Sequence, residues 1–320
     1  MKWLFPAVLL LACADPAPPA PVREVPARPA PTAGPLPAGP PSGLLPGVSA
    51  VVAGRHVGAV TSTAWTPDGA LLATGSWDGT TRLFDAAGTL LHTLLGPTED
   101  IEGLAFSPDG TRLAAVSRNS NARIWRVSDG EPVADLRDHT DSVESVVWSP
   151  DGTRLYTGSW DGRIRVWDAA TGTSQTAISA HHEGIFALAV AADGRIASGS
   201  SDKHVKIWSP DGDLLAHLDP HDGPVYSAAW SPDGRWLVTG SRDRTAAIHD
   251  VDAGTRKHVL GHDEHVLVVA FIDDTTVVTA GWDGRGRFWN AATGQPIEAS
   301  GPWTVAGYEG AVRLAVPAGR

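Results

Sequence analysis

Three histidines, His258, His262 and His265, share one short stretch with Asp263 and Glu264. Neutral imidazole beside carboxylate is a donor set that a metal can use. A loop so rich in His and acid is ordinarily a solvated surface, however, and no metal is assigned to it. Asp211-Gly212-Asp213 faintly resembles a calcium loop, but Ser209-Pro210-Asp211-Gly212 reads better as a turn. The sequence carries no G-x-S-x-G elbow, no phosphate-binding Walker loop, no haem-attachment C-x-x-C-H and no cysteine other than Cys13. No catalytic residue and no cofactor is therefore assigned. Paired carboxylates depend on which strands meet, so catalysis is undetected at this level rather than excluded.

The elements that hold any chemistry come from a unit of about 40 residues written six times. Its cleanest copy runs from Trp148 to Asp168, and related copies start near residues 56, 97, 181, 221 and 262. Val143 to Trp148 alternates apolar and polar residues, Asp151-Gly152 supplies a tight turn, and Leu155 to Gly158 returns. A second turn at Asp161-Gly162 leads into Arg163 to Trp167, and a fourth strand falls around Ser174 to Ile178. Four antiparallel strands repeated radially make an all-β propeller of four-stranded blades. Six repeats are full. A partial seventh begins at Glu309 to Val316, which echoes Glu183 to Val190 and would be completed by Val48 to Ala53. A six-bladed ring with a C-terminal tail is the alternative.

Trp167-Asp168, with Asp138-His139 before the first strand, resembles the WD-repeat family, whose usual dipeptide there is Gly-His. That resemblance implies a hydrogen-bonded tetrad of His, Thr or Ser, Asp and Trp in each blade. Repeat three supplies His139, Thr157, Asp161 and Trp167; repeat four His181, Ser198, Asp202 and Trp208; repeat six His262, Thr279, Asp283 and Trp289. Repeat one has His56, Thr74 and Asp78, with Phe84 in place of Trp. Repeat five has His221, Thr239 and Asp243, with His249 at the Trp position. Repeat two keeps only Trp125, beside Pro97, Ala115 and Asn119. Buried His and Asp persist only where they satisfy one another, so these residues are read as structural.

The tetrad would place the second turns on one face of the ring. Directly before the tetrad aspartates stand Trp77, Trp160, Ser201, Arg242 and Trp282. Indoles at matching positions are binding hot spots or a cover for their own hairpins. Bordering the channel would be Thr61, Glu102, Glu144, Phe186, Tyr226 and Leu267, a mouth acidic on one side and aromatic on the other. Trp77, Trp160, Trp282, Arg242, Phe186, Tyr226, Glu102 and Glu144 are the candidate partner-binding residues.

At the N-terminus, Met1-Lys2 precedes an apolar run from Trp3 to Ala12, too short to span a bilayer, and then Cys13. Leu10-Leu11-Ala12-Cys13 resembles a bacterial lipoprotein signal, which implies a signal peptide over 1–12 and acylation, palmitate included, at Cys13. An uncleaved apolar anchor is the alternative, and either tethers the chain to a membrane. Ala14 rather than Asp follows the cysteine, which points to the outer membrane. Residues 14 to 47 hold 12 of the 25 prolines and form, with Cys13, a disordered 13–47 linker that could reach roughly 100 Å when extended. The propeller is assigned to 48–320.

Composition agrees: 42% hydrophobic residues are enough for a core, and a net charge of -11 argues against nucleic acid. The expected function is a lipid-anchored, non-catalytic interaction platform in a bacterial envelope, binding a protein or peptide. The alternative is an envelope enzyme or small-ligand binder using the central channel.

Overall fold

Ser149, Asp151 and Gly152 show why the chain turns where it does. The Ser149 hydroxyl donates to Asp151 and accepts the Arg154 N–H at 2.9 Å, while Gly152 N–H reaches the Ser149 carbonyl at 2.9 Å. Gly152 sits at φ 69°, a left-handed conformation that glycine adopts without a Cβ clash. The same turn recurs at Thr66–Gly69, Ser107–Gly110 and Ser231–Gly234.

The structure, a computed structural model, describes residues 56–96 and 100–297 and the backbone of 305–308 and 311–314. The first blade is β1 to β4 (Val60–Trp65, Leu71–Ser76, Thr80–Asp85, Leu90–Leu95). The second is β5 to β8 (Ile101–Phe106, Arg112–Ser117, Ala122–Arg126, Pro132–Leu136), and the third β9 to β12 (Val143–Trp148, Arg154–Ser159, Arg163–Asp168, Ser174–Ser179). The fourth is β13 to β16 (Ile185–Val190, Ile196–Ser200, Val205–Trp208, Leu214–Leu218), and the fifth β17 to β20 (Val225–Trp230, Trp236–Ser241, Thr245–Asp250, Thr255–Gly261). All five are antiparallel sheets with strands in sequence order. The sixth has β21 to β23 (Val266–Phe271, Thr276–Gly281, Gly286–Asn290). Its fourth strand begins where Pro296 bridges Trp289 and Ile297 N–H reaches the Phe288 carbonyl at 2.8 Å. Residues 298–300 lie outside the described residues.

A hairpin of β24 (Val305–Tyr308) and β25 (Ala311–Leu314) follows, and β25 lies against β22. The first strands of the second to sixth blades pack on the preceding blade's second strand in the same way, as β9 does on β6. β25 is thus placed as the first strand of a seventh unit, where the echo of Glu183 to Val190 put it. The proposed closing strand Val48 to Ala53, the 13–47 linker and Cys13 fall outside the described residues.

Apolar burial follows the strand order. Second strands are buried on both faces, as Leu155 to Ser159 are, whereas β12 is exposed except at Ile178. The core is made between blades: Ala114, Ile124 and Leu136 of the second blade pack on Val143, Trp148, Leu155 and Trp167 of the third. Each blade is covered by its neighbour, the logic of a repeat array. Arginines add polar struts at the end of the strands opposite the tetrads. Arg112 donates to the Ala169 and Gly152 carbonyls at 2.9 Å each and stacks 4.9 Å over Trp148, whose indole reaches back to the Ala105 carbonyl at 3.0 Å. Arg195, Trp230 and Gly234 repeat this between the fourth and fifth blades.

Candidate functional site

The tetrads form as hydrogen-bonded relays. His139 Nδ1 meets Asp161 Oδ2 at 2.8 Å, its Nε2 meets Thr157 Oγ1 at 2.7 Å, and the Trp167 indole donates to the same hydroxyl at 2.8 Å. His181, Asp202, Ser198 and Trp208 do likewise. Repeat one keeps His56, Asp78 and Thr74 in place, with Phe84 fully buried. In repeat five, His221 joins Asp243 and Thr239 at 2.8 Å each, and His249 substitutes for the indole, its Nε2 3.0 Å from the Thr239 hydroxyl. Burial holds His181 down to about 4 and His249 down to about 3, so both rings are neutral at pH 7. Asp161 also accepts the N–H of Thr140 and of Arg163. Burial works against its charge, but His139 and those donors outweigh it and hold the carboxyl below its usual value.

Repeat six departs from the expected complete tetrad. His262 keeps Thr279 at 2.7 Å, and Trp289 donates to Thr279 at 2.8 Å, but Asp283 Oδ2 stands 3.9 Å from His262. The Arg287 guanidinium lies between them, bonded to Asp283 and in contact with His262 Nδ1 at 2.6 Å. In repeat three the corresponding Arg165 turns towards Asp138, and in repeat four Lys206 donates to the Ala180 carbonyl. Gly261 precedes His262 and offers no side chain, and Arg287 turns instead to Asp263 at 2.8 Å and Asp283. The histidines whose spacing a metal could use are dispersed: His258 bonds the Ala292 carbonyl, His262 is in the tetrad, and His265 lies 4.8 Å from Trp282. In repeat two Trp125 is buried, Asn119 N–H lies 3.4 Å from Ser117 Oγ, and Pro97 is outside the described residues.

Two rings of equivalent residues define the mouth. After each second strand one backbone N–H returns to the residue just before the first strand: Trp77 to Ala59, Arg118 to Asp100, Trp160 to Ser142, Ser201 to Gly184, Arg242 to Pro224 and Trp282 to His265. Inside lies a ring built on β-bulges. In the pairing of β1 with β2, Val60 faces Ser76 and Ser62 faces Gly75, so Thr61 is left out. The same skip leaves out Glu102, Glu144, Phe186, Tyr226 and Leu267. A bulge re-aims the extra side chain, and here it does so in every blade.

The two rings interlock. Trp160 donates to Glu144 Oε1 at 2.7 Å, as does the Ser142 hydroxyl, and its ring meets Phe186 edge-on at 5.3 Å. Phe186 meets Tyr226 at 5.4 Å. Trp77 lies under the Arg118 guanidinium, 5.6 Å from the ring centre, and Arg118 reaches Glu102 at 3.2 Å and Asp100 at 3.4 Å. The three indoles are half-buried, so they are neither free anchors nor covers for their own hairpins alone: Trp77 and Trp160 cross to the next blade. Arg242 is exposed. Burial, then the neighbouring Glu144, pushes Glu102 up to about 8, against the pull of Arg118 and the Trp77 indole. Burial also pushes Glu144 up, against Ser142, Trp160 and Arg118. Arg118 escaped the sequence reading because repeat two lacks the aspartate that marked the position; counting from Asn119 would have found it.

The family model described as IFT122 first beta-propeller matches residues 100–302, and that described as WD domain, G-beta repeat matches residues 51–85. The chain belongs to the IFT122 first beta-propeller family. It is a WD-repeat propeller. Among its relatives, nuclear distribution protein PAC1 of Arthroderma benhamiae is 28% identical over 188 residues, 57% of this chain and 36% of that protein. The U3 small nucleolar RNA-associated protein 15 homolog of Xenopus laevis is 26% identical over 217 residues, 67% of this chain and 42% of that protein. Poly(A)+ RNA export protein of Schizosaccharomyces pombe is 38% identical over 109 residues, 32% of this chain and 31% of that protein. The matched stretch spans less than half of each of these relatives.

Proposed function

We propose that this WD-repeat propeller is a non-catalytic platform whose mouth face binds a protein or peptide, and that it works as a lipoprotein of a bacterial envelope, acylated at Cys13. The observation that carries the binding reading is the interlocked double ring, which sets half-buried aromatics and charges at one end of the channel on rigid strand ends. Such amphipathic rings are the usual anchors of protein interfaces. The tether reading draws on Leu10-Leu11-Ala12-Cys13 and the proline-rich 14–47 spacer, which gives the propeller reach. An envelope enzyme or small-ligand binder is the second reading, supported by two acids, Glu102 and Glu144, on the bulges of adjacent blades.

The test of the face is a triple variant, Trp77→Phe, Trp160→Phe and Trp282→Phe, used with wild type as bait for envelope extracts. Phenylalanine keeps ring packing while removing indole area and N–H. Loss of the captured partner at a melting temperature near wild type is expected; undiminished capture ends the reading. For the tether, Cys13→Ser should release the chain from membranes or trap its precursor, and unchanged mass and partitioning would defeat the assignment.

A further inference from the structure

We propose that the mouth face docks an acidic segment of its protein partner along the second turns of the third, fourth and fifth blades, with one carboxylate seated on Arg165. This rests on the platform reading and names the chemistry of its ligand.

The seat is built on an arginine whose partners, present in other blades, are replaced in this one. Arg165 faces Thr157 across β10 and β11, and Arg123, Lys206 and Arg287 hold the same register in their own blades. Arg123 grips Asp135, opposite it on the fourth strand, and the Leu95 carbonyl. Arg287 takes Asp263 and Asp283, and Lys206 takes the Ala180 carbonyl. Opposite Arg165 stands Ala177, and Thr140 holds the position of Asp263. The Arg165 side chain is 14% exposed, its buried Nε has no hydrogen-bond partner, and Asp138, half-exposed, lies 3.6 Å from it. A buried guanidinium with an unused donor is unfavourable, and a carboxylate is the group its fork fits best.

Arg165, Arg163, Thr140, Asp141 and Asp161 line a cavity of about 330 Å³ at this turn. Its two acids are engaged by the scaffold. Asp161 takes His139 and the N–H groups of Thr140 and Arg163, and Asp141 Oδ1 accepts the Ser142 N–H at 2.8 Å.

From that seat the second turns run on as one ridge. Gly162 in the third blade's turn accepts the His181 N–H at 3.0 Å, and His181 bonds Asp202 in the fourth blade's turn. Lys203 in that turn accepts the His221 N–H at 3.1 Å, and His221 bonds Asp243 in the fifth. Arg163, Lys203, Arg242 and Arg244 stand exposed on this ridge, and among the described residues no carboxylate side chain pairs with their own. The flanking blades differ: Arg118 is held by Asp100 and Glu102, and Arg285 and Arg287 by Asp263.

Lys203 and Arg244 carry a second mark. They sit at φ 74° and 69°, where the first, third and sixth blades have Gly79, Gly162 and Gly284. A long side chain is strained in this left-handed conformation, and such strain gathers at functional sites. The chain is acidic, with a net charge of -11, but charges beyond about 8 Å are screened at physiological salt, so the ridge cations rather than distant acids meet a bound peptide. Glu183 and Asp222, in the loops between these turns, disfavour an unbroken acidic run. The guest is therefore a segment whose acids are spaced.

The probe is a short fluorescent peptide of alternating Glu and Gly, titrated into the full chain by anisotropy. An alternating Lys and Gly peptide is the control, and a thymidine oligonucleotide of matched charge is the competing anion. Expected is binding of the acidic peptide in preference to both, weakening as salt rises. Arg165→Gln should weaken it about tenfold, the worth of one charged hydrogen bond. Asp138→Asn removes the competing carboxylate and should tighten it. Lys203→Gly and Arg244→Gly together restore the residue that other blades have at these turns, so this double variant should melt at or above wild type and yet bind about tenfold more weakly. Preference for the basic peptide, tighter binding of the oligonucleotide, binding of neither peptide, or unchanged affinity in any of the three variants would each overturn the proposal. The double variant relieves strain, so the test holds even if Arg165→Gln folds poorly. An acidic peptide that fails while the triple Phe variant loses its envelope partner removes this inference and leaves the face reading standing.

Discussion

Asp161 and Glu144 belong to the same blade and the same end of the ring, yet their carboxyls are pushed in opposite directions. Asp161 takes His139 and the N–H groups of Thr140 and Arg163, and these hold it below its usual value in spite of burial. Glu144 has the Ser142 hydroxyl and the Trp160 indole, with Asp141 and Glu102 nearby, and burial pushes it up. A carboxylate ringed by donors is scaffold. One withdrawn from water beside a second acid is pushed towards its protonated form.

The largest expected effect breaks the scaffold side of this comparison. Asp161→Ala leaves the His139 ring and two backbone N–H groups without their acceptor, at a cost of about 1–3 kcal/mol. Asn119→Ala, at the matching position of the second blade, should cost far less, because no tetrad histidine is bonded there. Urea midpoints of the two variants decide it, and equal losses would mean that the tetrad is not what holds the blade.

The next effect, on the order of 1 kcal/mol, concerns pH and has opposite signs in the two regions. Glu102 is raised, so its contribution is fully present below its unfolded value near 4.5 and is lost as pH rises towards about 8. His181 and His262 are lowered to about 4, so their contribution is present above 6.5 and is lost as pH falls towards 4. Glu102→Gln should therefore gain stability over wild type at pH 8.5 and lose that advantage at pH 4.5. Parallel curves of melting temperature against pH for the two proteins would show that the mouth acids are not strained.

Legibility followed repetition. The hairpin turns and the strands around them were readable to within a residue, because Ser, Asp and Gly recur at fixed offsets and each has a local conformational reason. Tetrad residues were found by the same recurrence, but in the sixth blade recurrence did not reveal that Asp283 bonds Arg287 instead of His262. The mouth positions were found as a column of the repeat, but the bulges that aim them were not, since a skipped partner leaves no mark on a strand that still alternates. The coupling of Glu102 with Glu144 depends on a neighbouring blade 42 residues away in sequence. Arg118 and Arg287 lay hidden for different reasons. The first sits in the most degenerate repeat, and the second acts through reach, which residue type alone does not specify.

Arg287 gives the smallest and most discriminating effect. In the sixth blade its guanidinium separates His262 from Asp283 and takes the aspartate for itself. Arg287→Met, on β23, keeps most of the aliphatic stem and removes the charge. His262 and Asp283 are then free to close the 3.9 Å gap into the direct bond seen in the third blade. One charged contact is exchanged for another, so stability should change by less than about 1 kcal/mol. The histidine reports the exchange: burial first and Arg287 second hold it down, so its ring resonances, followed by NMR against pH, should titrate at a higher value in the variant. A loss as large as that of Asp161→Ala would instead make the guanidinium a structural bridge in its own right, and the sixth blade would then be built on a different relay from the third.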